Sequence, residues 1–202
     1  IDTSGSMKGE PIESVKVGLS DMIASLRLDP YALETACISI ITYDKEVKQI
    51  LPLIELENLQ IPDIECPDSG PTHTGAALNM LCDCYDKEVN MGNHEQKGDW
   101  MPLLFILTDG KPSDLMVYEE AIKNIKRHQF TNIVACAAGP KAKTEPLKKL
   151  TDNVFTLDTM DSSTFKKFFQ WVTINVQQGG RTMGVTDNVE LPPPPIEVNV
   201  VI

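Results

Sequence analysis

The run "PLLFILTDG" at residues 102–110 constrains this chain more than any other stretch. Its apolar residues follow one another without alternation, so both faces must be buried. A central strand of a parallel sheet covered by helices meets that demand. The run ends in a carboxylate, Asp109, and a glycine. Two further strand-like runs follow, "NIVACAAG" and "NVFTL". Helical spacing separates the strand-like runs, first at Val117, Ala121, Ile122 and Ile125, then in a short helix near Leu147 and Leu150. Upstream, Ile12, Val15, Leu19, Met22, Ile23 and Leu26 form an apolar stripe behind Pro11, which occupies a first-turn position where its missing N–H does no harm. "ETACISIITYD" and "KEVKQILPLI" read as a β-hairpin turning at Asp44-Lys45. A helix from Thr74 carries Ala77, Leu78, Leu81 and Tyr85 on one face, and the last helix carries Phe165, Phe168, Phe169, Val172 and Val176. Strands alternating with helices predict an α/β sandwich with a mainly parallel sheet.

With 202 residues, 42% of them hydrophobic, the chain can build one full core. Residues 179–195, "GGRTMGVTDNVELPPPP", read as a linker, and "IEVNVVI" at 196–202 alternates like a strand. The net charge of −11 argues against nucleic acid and anionic membranes as partners, because like charges repel, and favours cations and basic protein patches. No apolar run approaches the roughly 20 residues of a membrane helix. The five cysteines, Cys37, Cys66, Cys82, Cys84 and Cys136, show no paired spacing. Cys37 and Cys136 read as buried small hydrophobes, and Cys82-Asp83-Cys84 lies on a helix with no second pair to complete a zinc site. A reduced, cytoplasmic protein is expected.

Three oxygen-rich points fall at the ends of elements: Asp2, Ser4 and Ser6 in "IDTSGSM", Thr72 in "GPTHTGAAL", and Asp109 in "LTDGKPSD". In an open α/β sheet such loops share the carboxyl edge of the strands, where ligands bind. Carboxylates and hydroxyls without sulfur or imidazole suit a hard cation, Mg²⁺ or Mn²⁺. Hydroxyl ligands leave the ion's charge poorly neutralised, so it still attracts an anion. Thr74 reads as a helix cap. His73, His94 and His128 read as surface residues, and "KAKTEPLKK" as the solvated face of a short helix.

In this order the three motifs resemble the metal-ion-dependent adhesion site of von Willebrand factor A (VWA) domains, and the resemblance runs from Asp2 to about Gln177. It implies a Rossmann-like VWA sandwich over residues 1–178, with a mainly parallel central sheet, one antiparallel edge strand and helices on both faces. It also implies that Ser4 and Ser6 bind the metal directly and that Asp2 binds through water and fixes the serines. Thr72 and Asp109 would exchange direct for water-mediated contact, and an Asp or Glu of a protein partner would complete the shell. Gly70-Pro71-Thr72 departs from the Gly-Gly-Thr of many relatives, stiffening that loop and removing one donor. The tail is similar to that of TerY-like bacterial proteins associated with tellurite resistance and chemical stress. In such folds a central strand leads into the first motif, yet only Ile1 stands before it here. A strand preceding Ile1 is therefore expected. The rival filler of that slot is "IEVNVVI", although polar Glu197 and Asn199 suit an extended arm or an edge strand better.

Enzyme readings fit poorly. Gly70-x₄-Gly75 runs on into Ala76-Ala77, without the Lys-Ser/Thr of a P-loop, and no G-x-S-x-G elbow occurs. A haloacid-dehalogenase-type phosphotransferase needs D-x-D, and Ser4 stands where its second carboxylate would act as acid and base. A module in which the metal only staples loops is the remaining alternative.

Overall fold

The computed structural model describes residues 1–202 except 93, 94, 96, 97, 141, 183–190 and 202, and describes 179–182 by their backbone alone. After a single 3₁₀ turn at Gly5–Met7, the chain forms α1 (Glu10–Arg27), α2 (Pro30–Thr35), β1 (Cys37–Tyr43), β2 (Val47–Glu55) and α3 (Thr74–Glu88). It continues through β3 (Leu103–Thr108), α4 (Leu115–Ile125), β4 (Asn132–Ala138), α5 (Thr144–Lys148), β5 (Val154–Leu157), α6 (Ser162–Thr182) and β6 (Val198–Val200).

Alternation along the strands builds two cores, one on each face. Val134, Cys136 and Ala138 of β4 pack with Val15, Leu19 and Met22 of α1 and with Phe165, Phe168 and Val172 of α6. The intervening Ala135 and Ala137 face Leu78 and Cys82 of α3 and Tyr118, Ala121, Ile122 and Ile125 of α4. This is the α/β sandwich with helices on both faces that the sequence predicts. β3, β4 and β5 pair in parallel, and β6 adds to β5 in antiparallel register. β1 and β2 form the antiparallel hairpin.

The hairpin and the four-stranded sheet do not touch through their ladders. The backbone of Ile1, Asp2 and Thr3 bridges them, and the Tyr43 hydroxyl of β1 donates directly to the Leu107 carbonyl of β3 at 3.1 Å. The Ile1 amino group donates to the Ile41 carbonyl at 2.8 Å, the Tyr43 N–H to Ile1 at 3.0 Å, and the Thr3 N–H to Tyr43 at 2.9 Å. On the other side the Asp2 N–H donates to the Leu107 carbonyl at 2.9 Å. Away from this join, β1 and β3 are separated by a cavity of about 760 Å³.

That cavity accounts for two departures from the sequence reading. In β3 the residues Ile106–Thr108 are buried, but Leu103–Phe105 are only partly so, because one edge of the strand is open. Cys37, expected inside, is exposed at the start of β1, whose first half lacks cover for the same reason. Residues 198–200 pair at the β5 edge and not beside β1 or β3. α6 reaches Thr182, four residues into the segment read as a linker, and 183–190 lie outside the described residues, as does His94.

The two helices nearest the candidate site are pressed together at their starts. A Cβ on Gly75 of α3 would lie 2.3 Å from the Tyr118 nitrogen and 2.7 Å from its Cα, both backbone atoms of α4 that cannot yield cheaply. Gly75→Ala should therefore cost about 1–3 kcal/mol, read as a lowered urea midpoint with an unchanged slope.

Candidate metal centre

The site starts from Asp2, which the join between the sheets holds fully buried. Its Oδ1 accepts the Ser4 N–H at 2.8 Å, a local turn that reverses the chain, and its Oδ2 accepts the Thr108 hydroxyl at 2.6 Å. The Met7 N–H closes the 3₁₀ turn on the Ser4 carbonyl at 2.8 Å. The turn stacks the Ser4 and Ser6 hydroxyls 3.3 Å apart. Gly5 is needed there because a Cβ would sit 2.6 Å from the Ser69 Cα. The loop before Thr72 thus packs directly on the turn, and the Lys8–Asp68 ion pair ties the two on the surface.

Thr72 is held through its backbone. Its carbonyl accepts the Ser113 N–H at 2.8 Å and its N–H donates to the Ser113 hydroxyl at 3.1 Å. The following N–H, of His73, donates to the Asp44 carbonyl at 3.0 Å. The donor that Pro71 lacks is therefore not missed, since the loop is anchored at the next two positions. The His73 ring lies 3.1 Å from the Lys45 carbonyl through Nδ1. The Thr72 hydroxyl faces the backbone at Gly110, where a Cβ would come within 3.4 Å of it.

Asp109 completes the group at the end of β3. It is 5% exposed, and its Oδ1 has no hydrogen-bond partner. Burial pushes its carboxyl above the usual range and the neighbouring Asp2 charge adds to this, while the Ser6 and Ser4 hydroxyls pull it back down. The structure thus brings Asp2, Ser4, Ser6 and Asp109 together and sets Thr72 beside Gly110. Among the described residues no three His, Cys, Asp or Glu side chains gather to hold a metal. The donors here are two carboxylates and three hydroxyls, a hard oxygen set, and an orphaned buried carboxylate oxygen is what a bound cation would satisfy.

Several supporting residues escaped the sequence reading. Thr108 fixes Asp2, and Ser113 fixes Thr72. Asp114 accepts the Gly75 and Ala76 N–H groups at 3.1 and 2.9 Å, capping α3 from across the site. Thr74 does not cap that helix; its hydroxyl is buried without a partner. Asp44 accepts the Thr3 hydroxyl at 2.9 Å. The only local signal was that Thr108, Ser113 and Asp114 flank Asp109 in "LTDGKPSD".

The profile of the von Willebrand factor type A domain family matches residues 1–171. Matrilin-1 of Bos taurus is 30% identical over 118 residues, which is 56% of this chain and 21% of matrilin-1. Proximal thread matrix protein 1 of the mussel byssus, solved with a zinc-occupied metal-ion-dependent adhesion site, aligns with TM-score 0.61 at 16% identity, covering 88% of this chain and 46% of that one. The manganese-loaded TRAP protein of Plasmodium vivax aligns with TM-score 0.53 at 18% identity, covering 84% of this chain and 70% of that one. The chain therefore spans about a fifth of matrilin-1 and less than half of the mussel protein. The solved structures share its fold.

Two outcomes follow from the carboxylates. Thr108→Val should destabilise the protein by about 1–3 kcal/mol by stripping a donor from buried Asp2, and Thr108→Ser should restore most of the loss; chemical denaturation reads both. Folded Asp109 holds its proton more tightly than the unfolded chain does, so its ionisation weakens the metal-free fold as pH rises above about 4. Metal-free Asp109→Asn should consequently melt above metal-free wild type at pH 7, and the difference should shrink toward pH 4.

Proposed function

The chain belongs to the von Willebrand factor type A family, and from that premise we propose that it is a cation-dependent protein-docking module. Asp2, Ser4, Ser6, Thr72 and Asp109 would hold Mg²⁺ or Mn²⁺. The bound ion would supply an incompletely neutralised positive charge at the protein surface. The observation that carries this reading is the buried Asp109 Oδ1 without a partner, set among hydroxyls that cannot neutralise a divalent charge. An Asp or Glu of a protein partner is the ligand that such a site would prefer, and its carboxylate would dominate the binding energy.

The chain's own residues would prepare that contact. Asp2 holds the Ser4 backbone and so sets the spacing of the two serines. Ser113 holds Thr72, and Asp114 holds the start of α3 beside it. These are positioning roles, and Ser4 stands where phosphotransfer of the D-x-D type would need a second carboxylate. We therefore propose a role in assembly rather than catalysis. The resemblance of the tail to TerY-like bacterial proteins extends the proposal to a tellurite- or chemical-stress complex. The five free thiols support a reducing, cytoplasmic setting.

Titration calorimetry should detect one Mg²⁺ or Mn²⁺ site, abolished in Asp109→Ala and much weakened in Ser4→Ala. Equal binding by wild type and Asp109→Ala would overturn the assignment. Partner capture from the native cell should fail in EDTA and return with added Mn²⁺; capture that survives chelation would instead favour a metal that only staples loops. Phosphatase and ATPase assays with Mg²⁺ should stay at background, and turnover that disappears in Asp2→Asn would replace docking with phosphotransfer.

A further inference from the structure

We propose that the first turn of α4 is a second contact of the docking surface, an apolar ridge of Leu115, Met116 and Val117 that receives a large apolar side chain of an acidic partner segment. This rests on the docking reading of the neighbouring metal centre. Beyond its first turn α4 follows the pattern of a half-buried helix. Tyr118, Ala121, Ile122 and Ile125 are buried, while Glu119, Glu120 and Lys123 are exposed. The first turn breaks that pattern. Leu115, Met116 and Val117 are consecutive, and they are 54%, 87% and 42% exposed. Successive helical residues point about 100° apart, so the three wrap the end of the helix in apolar surface that no core-facing stripe explains. A consecutive run of exposed apolar side chains is an error of patterning unless it binds something.

The ridge is built onto the metal centre. Ser113 exchanges hydrogen bonds with the Thr72 backbone, and Leu115 follows two residues later. Asp114 caps α3 through Gly75 and Ala76, and Gly75 packs so closely on the backbone of Val117 and Tyr118 that a Cβ would not fit. Buried Pro112 pins the loop between Asp109 and the ridge. Asp109 and Leu115 are six residues apart in the chain, which limits their separation to about 20 Å. An extended partner segment covers that distance in about six residues or fewer. The surroundings set its charge. Lys111, in the loop from Asp109, and Lys45, whose carbonyl lies 3.1 Å from the His73 ring, are exposed and form no ion pair among the described residues. Nearby acidic side chains are engaged: Asp68 with Lys8, Glu46 with Lys48, and Asp44 with the Thr3 hydroxyl and the Glu46 N–H. On a chain of net charge −11, this edge thus offers two unpaired ammonium groups to an acidic segment.

The test uses short synthetic peptides on the full chain with saturating Mn²⁺. Each peptide carries one Asp in a Gly/Ser background and one Leu or Phe at a varied offset of up to about six residues. Matched peptides carry Ser for the apolar residue or Asn for the Asp. At the best offset the apolar peptide should bind at least about 10-fold tighter than its Ser match. Leu115→Ser combined with Met116→Ser should bring that ratio near one. Both residues are exposed, so the double variant should melt and bind Mn²⁺ as the unmodified chain does. An apolar preference that is absent at every offset, or that survives intact in the double variant, overturns the proposal. So does dimerisation of the unmodified chain, or its binding to phosphatidylcholine vesicles containing one-third phosphatidylserine, if the double variant loses it. The ridge would then belong to a second copy or to a lipid surface. Failure of the docking reading looks different: the ridge-dependent preference would persist in EDTA and with Asn in place of Asp.

Discussion

The backbone bonds of Ile1, Asp2 and Thr3 are what the rest of the molecule depends on. They bridge the β1–β2 hairpin to the four-stranded sheet, and the same bonds place Asp2 at the head of the candidate metal centre. Because Asp2 is tied to β3 through its N–H and to Thr108 through its carboxylate, it is fixed from one strand at two points. The neighbours Ile1 and Thr3 fix it to the other strand. The serine turn that follows inherits this position through the bond from the Ser4 N–H. A site built on strand ends in this way is rigid without needing a rigid loop.

The remaining supports are long-range pairs between loops, and they explain which parts of the fold could be read in advance. The "PLLFILTDG" run, the helical stripes of α1 and α6 and the hairpin at Asp44 all follow from local periodicity, so the α/β order was legible. The grouping of Asp2, Ser4, Ser6, Thr72 and Asp109 was legible because each falls at the end of an element. What could not be read was set by partners distant in sequence. Thr74 stands where a local cap is favoured, yet Asp114, thirty-nine residues from Gly75, does the capping. Thr108 looked like the end of an apolar strand, and its bond to Asp2 spans 106 residues. Cys37 has the local context of a buried strand residue and is exposed because of what lies beside β1.

Pro71 shows how such long-range bonds absorb a local irregularity. A proline in the loop before Thr72 removes a backbone donor, and locally that weakens the loop. Here the N–H groups of Thr72 and His73 are already committed to Ser113 and Asp44, on two different neighbouring segments. A proline also restricts the unfolded chain, and those two bonds hold the folded loop without the donor it lacks.

The site itself is costly to the fold that carries it. Two carboxylates, Asp2 and Asp109, are buried close enough for the charge of one to raise the pKa of the other, and one Asp109 oxygen has no partner. Lys or Arg in place of a serine would neutralise them and would stabilise the apo fold, yet would leave nothing for a cation to bind. A third carboxylate would bind a cation more tightly and would leave it less able to attract an external anion. Hydroxyls at Ser4, Ser6 and Thr72 lie between these extremes. In the proposed docking role they would solvate a cation without cancelling its charge, and the ion would satisfy the Asp109 oxygen that the metal-free fold leaves without a partner.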